Sequence, residues 1–345
     1  MPGLFPLPPQ PDGVPWPTSE WPEGPPDPDV DIAELAAVAD RAFQVPAPDS
    51  HGETLALLAV HRGRLVFERY APGRGAADSF PSWSMAKSIT HAAIGILLGE
   101  QRLALAAPAP IPTWRGDGDP RREITLEHLL RMVDGLDFVE VYEPTGRSDV
   151  IEMLFGAGKE DVAGYTIARP LAHPPGSYWN YSSGTSNVVA AIAGAAVGGG
   201  RDGMEAFLRH ALFEPIGMHS AQPRFDAAGT FIGSSFVFAT GRDFARFGLL
   251  ALRDGVWDGK RVLPAGWIDH ARTPTPASFG QYGAHWWLAL DGTRIFTANG
   301  FQGQYIVVDP ERDLVLVRLG ASTPAQRAAV IRDLRSIVGA FPARR

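Results

Sequence analysis

Apolar positions along the chain follow two different rhythms. "DIAELAAVADRAF" (31–43) repeats its apolar residues at helical spacing behind Asp31, a good capping residue. "TLALLAV" and "RLVFERY" are denser apolar runs joined across "HRG", and they predict two strands. From Ser84 to about Gly99 the spacing is helical again. Further helices are predicted at "TLEHLLRM", "SDVIEMLFGAG", "SNVVAAIAGAAV", "DGMEAFLRHALF" and "GRDFARFGLLALRDG", several opening on Ser, Thr or Asp and ending near Gly. After "LPAGWIDHAR" the pattern shortens to strand-like runs, "HWWLAL", "TRIFTAN", "GQYIVVD" and "LVLVRLG", split by "DG", "GFQG" and "DPERD". "PAQRAAVIRDLRSIVGAF" closes the chain as a helix, and no repeat period is visible.

Early and late strands cannot each stand alone, because an isolated hairpin is only marginally stable in water. They are expected to form one antiparallel sheet flanked by the terminal helices, with the helical middle inserted as a second lobe. This is an α/β plus all-α architecture with a cleft between the lobes. The α/β lobe would take residues 31–83 and 272–345, and the mainly helical lobe about 84–271. Residues 1–30 are so rich in proline that neither helix nor central strand is expected, so they read as an extended surface arm or a partly disordered one.

Composition narrows the function. Hydrophobic residues at 45% and charged ones at 20% suit a globular chain with a sizeable core. The net charge of −7 and the lack of a basic stripe argue against nucleic acid as a partner. Cysteine is absent, which removes disulfides, a thiolate nucleophile and cysteine-bound metal. The nine histidines are scattered without metal-ligand spacing, so no metal or cofactor is expected. The N-terminus lacks a basic, then apolar, export signal, and no run approaches the roughly 18 apolar residues of a membrane span. A cytoplasmic protein with no membrane partner is the expectation; the oligomeric state is not legible.

Three short stretches carry candidate chemistry. In "PSWSMAKSIT", Ser84 and Lys87 stand three positions apart at a helix start, so both fall on one face. A serine hydroxyl needs a neighbouring base to become a nucleophile, and a lysine serves if burial lowers its pKa. The chain has three lysines against 28 arginines. A residue that must lose a proton cannot be arginine, which sets Lys87 apart. The same pair also fits an ordinary capped helix. "PGSYWNYSSGTSNVV" brings Tyr181 and Ser183 to a second helix start, where Tyr181 also fits a half-buried aromatic. In "TANGFQGQYIVVDP", Gly300 and Gly303 bracket a strand start, suited either to close backbone approach to a ligand or to a plain hairpin turn.

Together, Ser84-x-x-Lys87, Tyr181-Ser182-Ser183 and the glycine-bearing strand start at Gly300 resemble, in order and rough spacing, the serine β-lactamase and penicillin-binding superfamily. The likeness is nearest to its class C-like branch, which holds family VIII carboxylesterases, D-aminopeptidases and 6-aminohexanoate-dimer hydrolases. "LFEPIGMHSA", "GRDFARFGLLALRDGVWDGKRVLPAGWI" and "GFQGQYIVVDPERDLVLV" extend it over about residues 50–340. The resemblance implies a β-lactamase/transpeptidase-like fold. It implies an acyl-enzyme at Ser84, with Lys87 and Tyr181 sharing proton transfer and Ser183 orienting the network. Backbone N–H groups of Ser84 and Phe301, beside Gly300, would form the oxyanion hole. A loop tyrosine, here Tyr142 in "DGLDFVEVYEPTGRSD", would contact amide substrates.

One departure shapes the expected substrate. Where β-lactamases carry Lys-Thr-Gly and many esterase relatives His-x-Gly, this chain has Ala298-Asn299-Gly300. Losing that cation favours a small-molecule ester or unstrained amide over a β-lactam. A class C-like β-lactamase or D-aminopeptidase is the alternative, and a non-catalytic ligand-binding scaffold of the same fold is another.

Overall fold

The computed structural model describes residues 3–44, 52–142, 146–288, 290 and 294–344. Helix α1 (Ile32–Ala42) precedes the hairpin β1 (Glu53–His61) and β2 (Arg64–Tyr70), and the short β3 (Phe80–Pro81) leads into α2 (Ala86–Gly99). Then come α3 (Leu126–Leu130), α4 (Asp149–Phe155), α5 (Val162–Ile167), α6 (Ser183–Val197) and α7 (Gly200–Phe207). Short strands β4 (Gln222–Pro223) and β5 (Val237–Ala239) precede α8 (Gly241–Leu252), the paired β6 (Val256–Trp257) and β7 (Lys260–Arg261), and α9 (Trp267–Arg272). Strands β8 (Phe296–Gly300), β9 (Gln304–Asp309) and β10 (Leu314–Ala321) are followed by α10 (Arg327–Gly339).

The early and late strands do form one antiparallel sheet, in the order β2-β1-β10-β9-β8. Alternate side chains serve opposite faces. Leu57, Ala59, Val307 and Leu316 pack with Leu35, Val38 and Leu334 of α1 and α10, whereas Leu58, Val60, Ile306 and Val315 join the larger core with Phe244 of α8. Gly248 lets α8 lie close on the sheet, since a Cβ there would come within 2.5 Å of Val315 Cγ1. Residues 86–97 of α2 are all buried. Burial on every side, polar side chains included, puts this helix in the interior, and the start of α2 is therefore a fixed platform.

Two segments differ from a plain reading of the pattern. "HWWLAL" is not a strand over the described residues 285–288 and 290; Trp287 only bridges to Thr297 and Tyr282. His285 adopts φ +56°, which turns the chain, and its buried ring is held by the Leu130 carbonyl at 2.8 Å and Ser186 Oγ at 3.0 Å. The proline-rich arm, described from residue 3, lies along α8. Arg246 Nε donates to the Pro17 carbonyl, Arg253 Nε to Gln10 Oε1, and Trp257 Nε1 to Thr18 Oγ1. Trp21 of the arm is itself buried, with the Arg246 guanidinium over its ring. Met1, Pro2, residues 143–145 of the Tyr142 loop, Ala289 of "HWWLAL", Thr293 of "TRIFTAN" and Arg345 lie outside the described residues.

Candidate active site

Ser84 is delivered by a tied-down turn. Ser82 pairs with the start of β5, donating its N–H to the Val237 carbonyl (2.8 Å) and accepting the Val237 N–H on Oγ (3.0 Å). Trp83 then takes φ +44°. That conformation costs a bulky residue about 1–3 kcal/mol and persists only where its surroundings enforce it. Its ring sits 5.6 Å from those of Phe236 and Phe301. Ser84 follows in the 3₁₀ turn Trp83–Met85, and Lys87 is the second residue of α2.

Lys87 is 2% exposed, and all three of its possible N–H donors have acceptors: Ser84 Oγ at 3.1 Å, Ser183 Oγ at 2.9 Å and the Ser234 carbonyl at 2.9 Å. Burial pushes its pKa down to about 8, with the Glu140 carboxylate pulling the other way. The ammonium also lies 4.9 Å from the centroid of the Tyr181 ring. Burial, then Glu140, raises the Tyr181 phenol above its ordinary value, while interactions with Ser84 and Trp287 act in the opposite direction. The rings of Trp287 and Tyr282 stand 5.0 and 5.8 Å from it.

Ser183 opens α6, where Ser182 caps the helix through Thr185 N–H. Its N–H and hydroxyl both donate to Glu140, at 2.8 Å to Oε2 and 2.6 Å to Oε1. Tyr142 O–H donates to the same Oε1 at 2.6 Å. A carboxylate at a helix N-terminus is favourably placed, and here it links Lys87, through Ser183, to Tyr142. Tyr142 also stacks on Phe301 at 5.0 Å.

The opposite wall is the end of β8. Ala298 is buried in the core and supplies no charge. A Cβ on Gly300 would lie 2.3 Å from the Ser82 carbonyl, so glycine is what lets β8 close against the Ser84 turn. Phe301 begins the next turn, and neither its amide nor that of Ser84 is a donor in the backbone hydrogen bonds between these turns.

Two hollows meet at Ser84. The larger, about 450 Å³, is bounded by Ser84, Glu140, Tyr181, Trp287, Asn299 and Arg327 among others. A pocket of about 90 Å³ lies beside Ser84 among Trp83, Ile151, Leu154 and Phe155, and Tyr181 does not reach it. A wider groove of about 770 Å³ runs along Tyr178, Trp179 and Phe279 beyond Tyr181 but does not include Ser84, so it is not a place where Ser84 could react.

Of the residues singled out from the sequence, Ser84, Tyr142, Tyr181, Gly300, Phe301 and Gly303 border one cleft, and Lys87 hydrogen-bonds both Ser84 and Ser183 beside it. Missed were Glu140, Ser234, Trp287 and Arg327. Glu140 left a usable signal, standing two positions before Tyr142 in an extended segment and so on the same side. Ser234 contributes only a carbonyl, which no residue type reveals. Among the described residues no group of His, Asp and Glu could hold a metal ion, and no helix is long and apolar enough to cross a membrane.

Such a site, with a serine and a buried lysine at the start of an interior helix against an antiparallel sheet, is that of a β-lactamase-like hydrolase. A family model for beta-lactamases matches residues 39–339, and the chain belongs to that family. The 6-aminohexanoate-dimer hydrolase of Paenarthrobacter ureafaciens is 24% identical over 313 residues, covering 84% of this chain and 78% of that protein. A Bacillus anthracis structure with a provisional 6-aminohexanoate-dimer hydrolase label superposes with a TM-score of 0.74 at 22% identity, covering 97% of this chain and 91% of that one. A family VIII carboxylesterase structure gives 0.65 at 14% identity, covering 91% and 99%. These structures share the expected β-lactamase/transpeptidase-like fold.

Proposed function

We propose that this hydrolase forms an acyl-enzyme at Ser84 and cleaves a carboxylic ester or an unstrained amide. The observation that carries the reading is the 3.1 Å contact of Ser84 Oγ with a buried lysine whose pKa is lowered to about 8. Ser84 Oγ attacks the carbonyl carbon and its proton passes to neutral Lys87. The raised phenol of Tyr181 stays protonated and gives its proton to the departing oxygen or nitrogen as that bond breaks. The Lys87 proton then restores the phenol. Water attacks the acyl-enzyme, gives a proton to Lys87 and releases the acid, and Ser84 recovers its hydrogen. Glu140 fixes Ser183 as a hydrogen-bond acceptor for Lys87, because the serine's own proton is committed to the carboxylate. The Ser84 and Phe301 amides would hold the developing oxyanion.

Tyr181 touches the larger hollow and not the smaller one. Since it serves the leaving group, the 90 Å³ apolar pocket is the acyl side, which suits short acyl chains. The reading is tested with a fluorophosphonate probe and intact-mass measurement. One adduct on the peptide containing Ser84, absent from Ser84→Ala, is expected; an adduct that survives Ser84→Ala sinks the assignment.

A further inference from the structure

Asp149 is the first residue of α4 and borders neither hollow at Ser84, yet it is only 2% exposed. The helix does not need it as a cap, because Ser148 Oγ already accepts the Ile151 N–H. Its carboxylate is engaged elsewhere. Oδ1 accepts the Tyr165 hydroxyl at 2.9 Å and Arg169 Nη2 at 2.8 Å, while Oδ2 accepts the Val139 N–H at 2.9 Å and Arg147 Nη2 at 2.8 Å. These donors fill the acceptor sites of an ionised carboxylate. The Asp149 N–H returns to the Val139 carbonyl at 3.0 Å, so one residue holds Val139 by both its N–H and its C=O. The two residues before Val139 are tied as well. Asn180 Nδ2 donates to the Phe138 carbonyl at 2.9 Å, and Arg147 Nη1 to Asp137 Oδ2 at 2.9 Å. The next residue along is Glu140, whose carboxylate receives Ser183 and Tyr142.

We propose that Asp149 is a positioning residue for the reaction: gripped by Arg147 and Arg169, it clamps Val139 and thereby fixes the Glu140 carboxylate against Ser183 and Tyr142. This rests on the acyl-enzyme reading above, in which Glu140 commits the Ser183 hydroxyl as an acceptor for Lys87, and goes beyond it by naming what holds Glu140. A buried ion pair adds little net stability, because desolvation offsets most of the attraction between its charges. What such a network supplies is geometry, and the geometry here belongs to the segment that ends in Glu140. The titratable and charged groups facing Glu140 are Lys87 of α2, Tyr142, Tyr181 and Tyr282, with Arg327 on the same cleft. None of them bonds Asp149, so its influence on them passes through Glu140 alone. With Glu140 loosened, the charge that favours protonated Lys87 recedes, and Lys87 gives up its proton at lower pH.

The test follows 4-nitrophenyl acetate hydrolysis against pH in wild type, Asp149→Ala, Asp149→Asn, Glu140→Gln and the double variant Asp149→Ala/Glu140→Gln. Asp149→Ala should move the rising limb of kcat/KM to lower pH and reduce kcat by about tenfold, with KM changed by about threefold or less. Asp149→Asn keeps one acceptor oxygen and should lie between it and wild type. The double variant should be no worse than Glu140→Gln by more than about threefold, because both changes act through one carboxylate. Amide hydrogen exchange on the unreacted protein gives a second reading. The peptide containing Val139 should exchange about tenfold or more faster in Asp149→Ala, while peptides from α2 keep their protection. An unmoved limb, losses that multiply in the double variant, or unchanged exchange at Val139 overturns the proposal. Should Asp149→Ala not fold, Asp149→Asn and Arg147→Met decide on the same readings, each with smaller shifts in the same direction. Failure of the acyl-enzyme reading is separate: wild type would release no nitrophenol and take no fluorophosphonate adduct, while hydrogen exchange would still decide whether Asp149 holds the Glu140 segment.

Discussion

The two walls of the cleft are built on opposite rules. On the helical wall, Lys87, Ser183 and Glu140 are joined in closed hydrogen bonds, and Lys87 is enclosed by protein. On the strand wall, Asn299 has an unpartnered oxygen and Arg327 has no partner among the described residues. The first arrangement preorganises proton transfer, since nothing must rotate or desolvate when the reaction starts. The second leaves Asn299 Oδ1 as a buried acceptor without a donor and Arg327 exposed. Substitutions on the helical wall should therefore alter rate and pH dependence, whereas those on the strand wall should alter which substrate is chosen.

Lys87→Arg breaks the helical wall most severely. Arginine keeps the charge but cannot give up its proton and does not fit the compact three-acceptor site. The expected fall in kcat is roughly 10²-fold or more, the scale of a lost general base. In the unmodified protein, kcat/KM should rise with pH through about 8, where Lys87 becomes neutral. Stability follows the same group. Because its folded pKa of about 8 lies below the ordinary 10.5, the unfolded chain holds more protons between these values. Lys87 therefore makes stability rise with pH across that window, while its destabilising contribution is full below about 8. Near-normal turnover by folded Lys87→Arg, checked by circular dichroism and melting temperature, would show that Lys87 acts as a charge and not as a base.

Glu140→Gln is a milder break in the same wall. It removes the charge that raises the pKa of Lys87 and weakens the charge-assisted bonds from Ser183 and Tyr142. The rising limb of kcat/KM should move to lower pH, and the plateau should fall by about ten- to a hundredfold, corresponding to the ~1.5–3 kcal/mol of a charged hydrogen bond. An unmoved limb with only a lower plateau would make Glu140 a packing element with no hold on the proton.

These contrasts also separate what the sequence showed from what it hid. The five sheet strands were legible because their apolar runs are short and bounded by turns, and α2 because its apolar spacing is continuous. Ser84, Lys87 and Tyr181 were legible because reacting groups require particular residue types at particular spacings. "HWWLAL" misled because its apolar residues are buried without extended pairing: Trp286 enters the core, while Trp287 borders the cleft. Ala298 supplies no charge at the cleft, yet the cationic Arg327 borders it from the start of α10, a placement that depends on the tertiary fold. Recognition groups need only reach the cavity, so sequence spacing constrains them far less than it constrains a nucleophile and its base.

Tyr142→Phe tests the seam between the walls and should have the smallest effect. Tyr142 stacks on Phe301 of the strand wall while its hydroxyl donates to Glu140 of the helical wall. Phenylalanine preserves the stacking and removes only the hydroxyl, so the shape of the cleft is retained. The hydroxyl borders both Ser84 hollows. With its proton committed to Glu140, its oxygen can accept the N–H of an amide leaving group, a contact that an ester oxygen cannot make. We expect amide kcat/KM to fall by about tenfold and aryl-ester kcat/KM by about threefold or less, consistent with one neutral hydrogen bond of ~0.5–1.5 kcal/mol. Matched anilide and nitrophenyl ester substrates with the same acyl group give the comparison directly. Equal losses on both would place the hydroxyl with Glu140 as part of the Lys87 network, and no loss on either would leave Tyr142 only as the aromatic partner of Phe301.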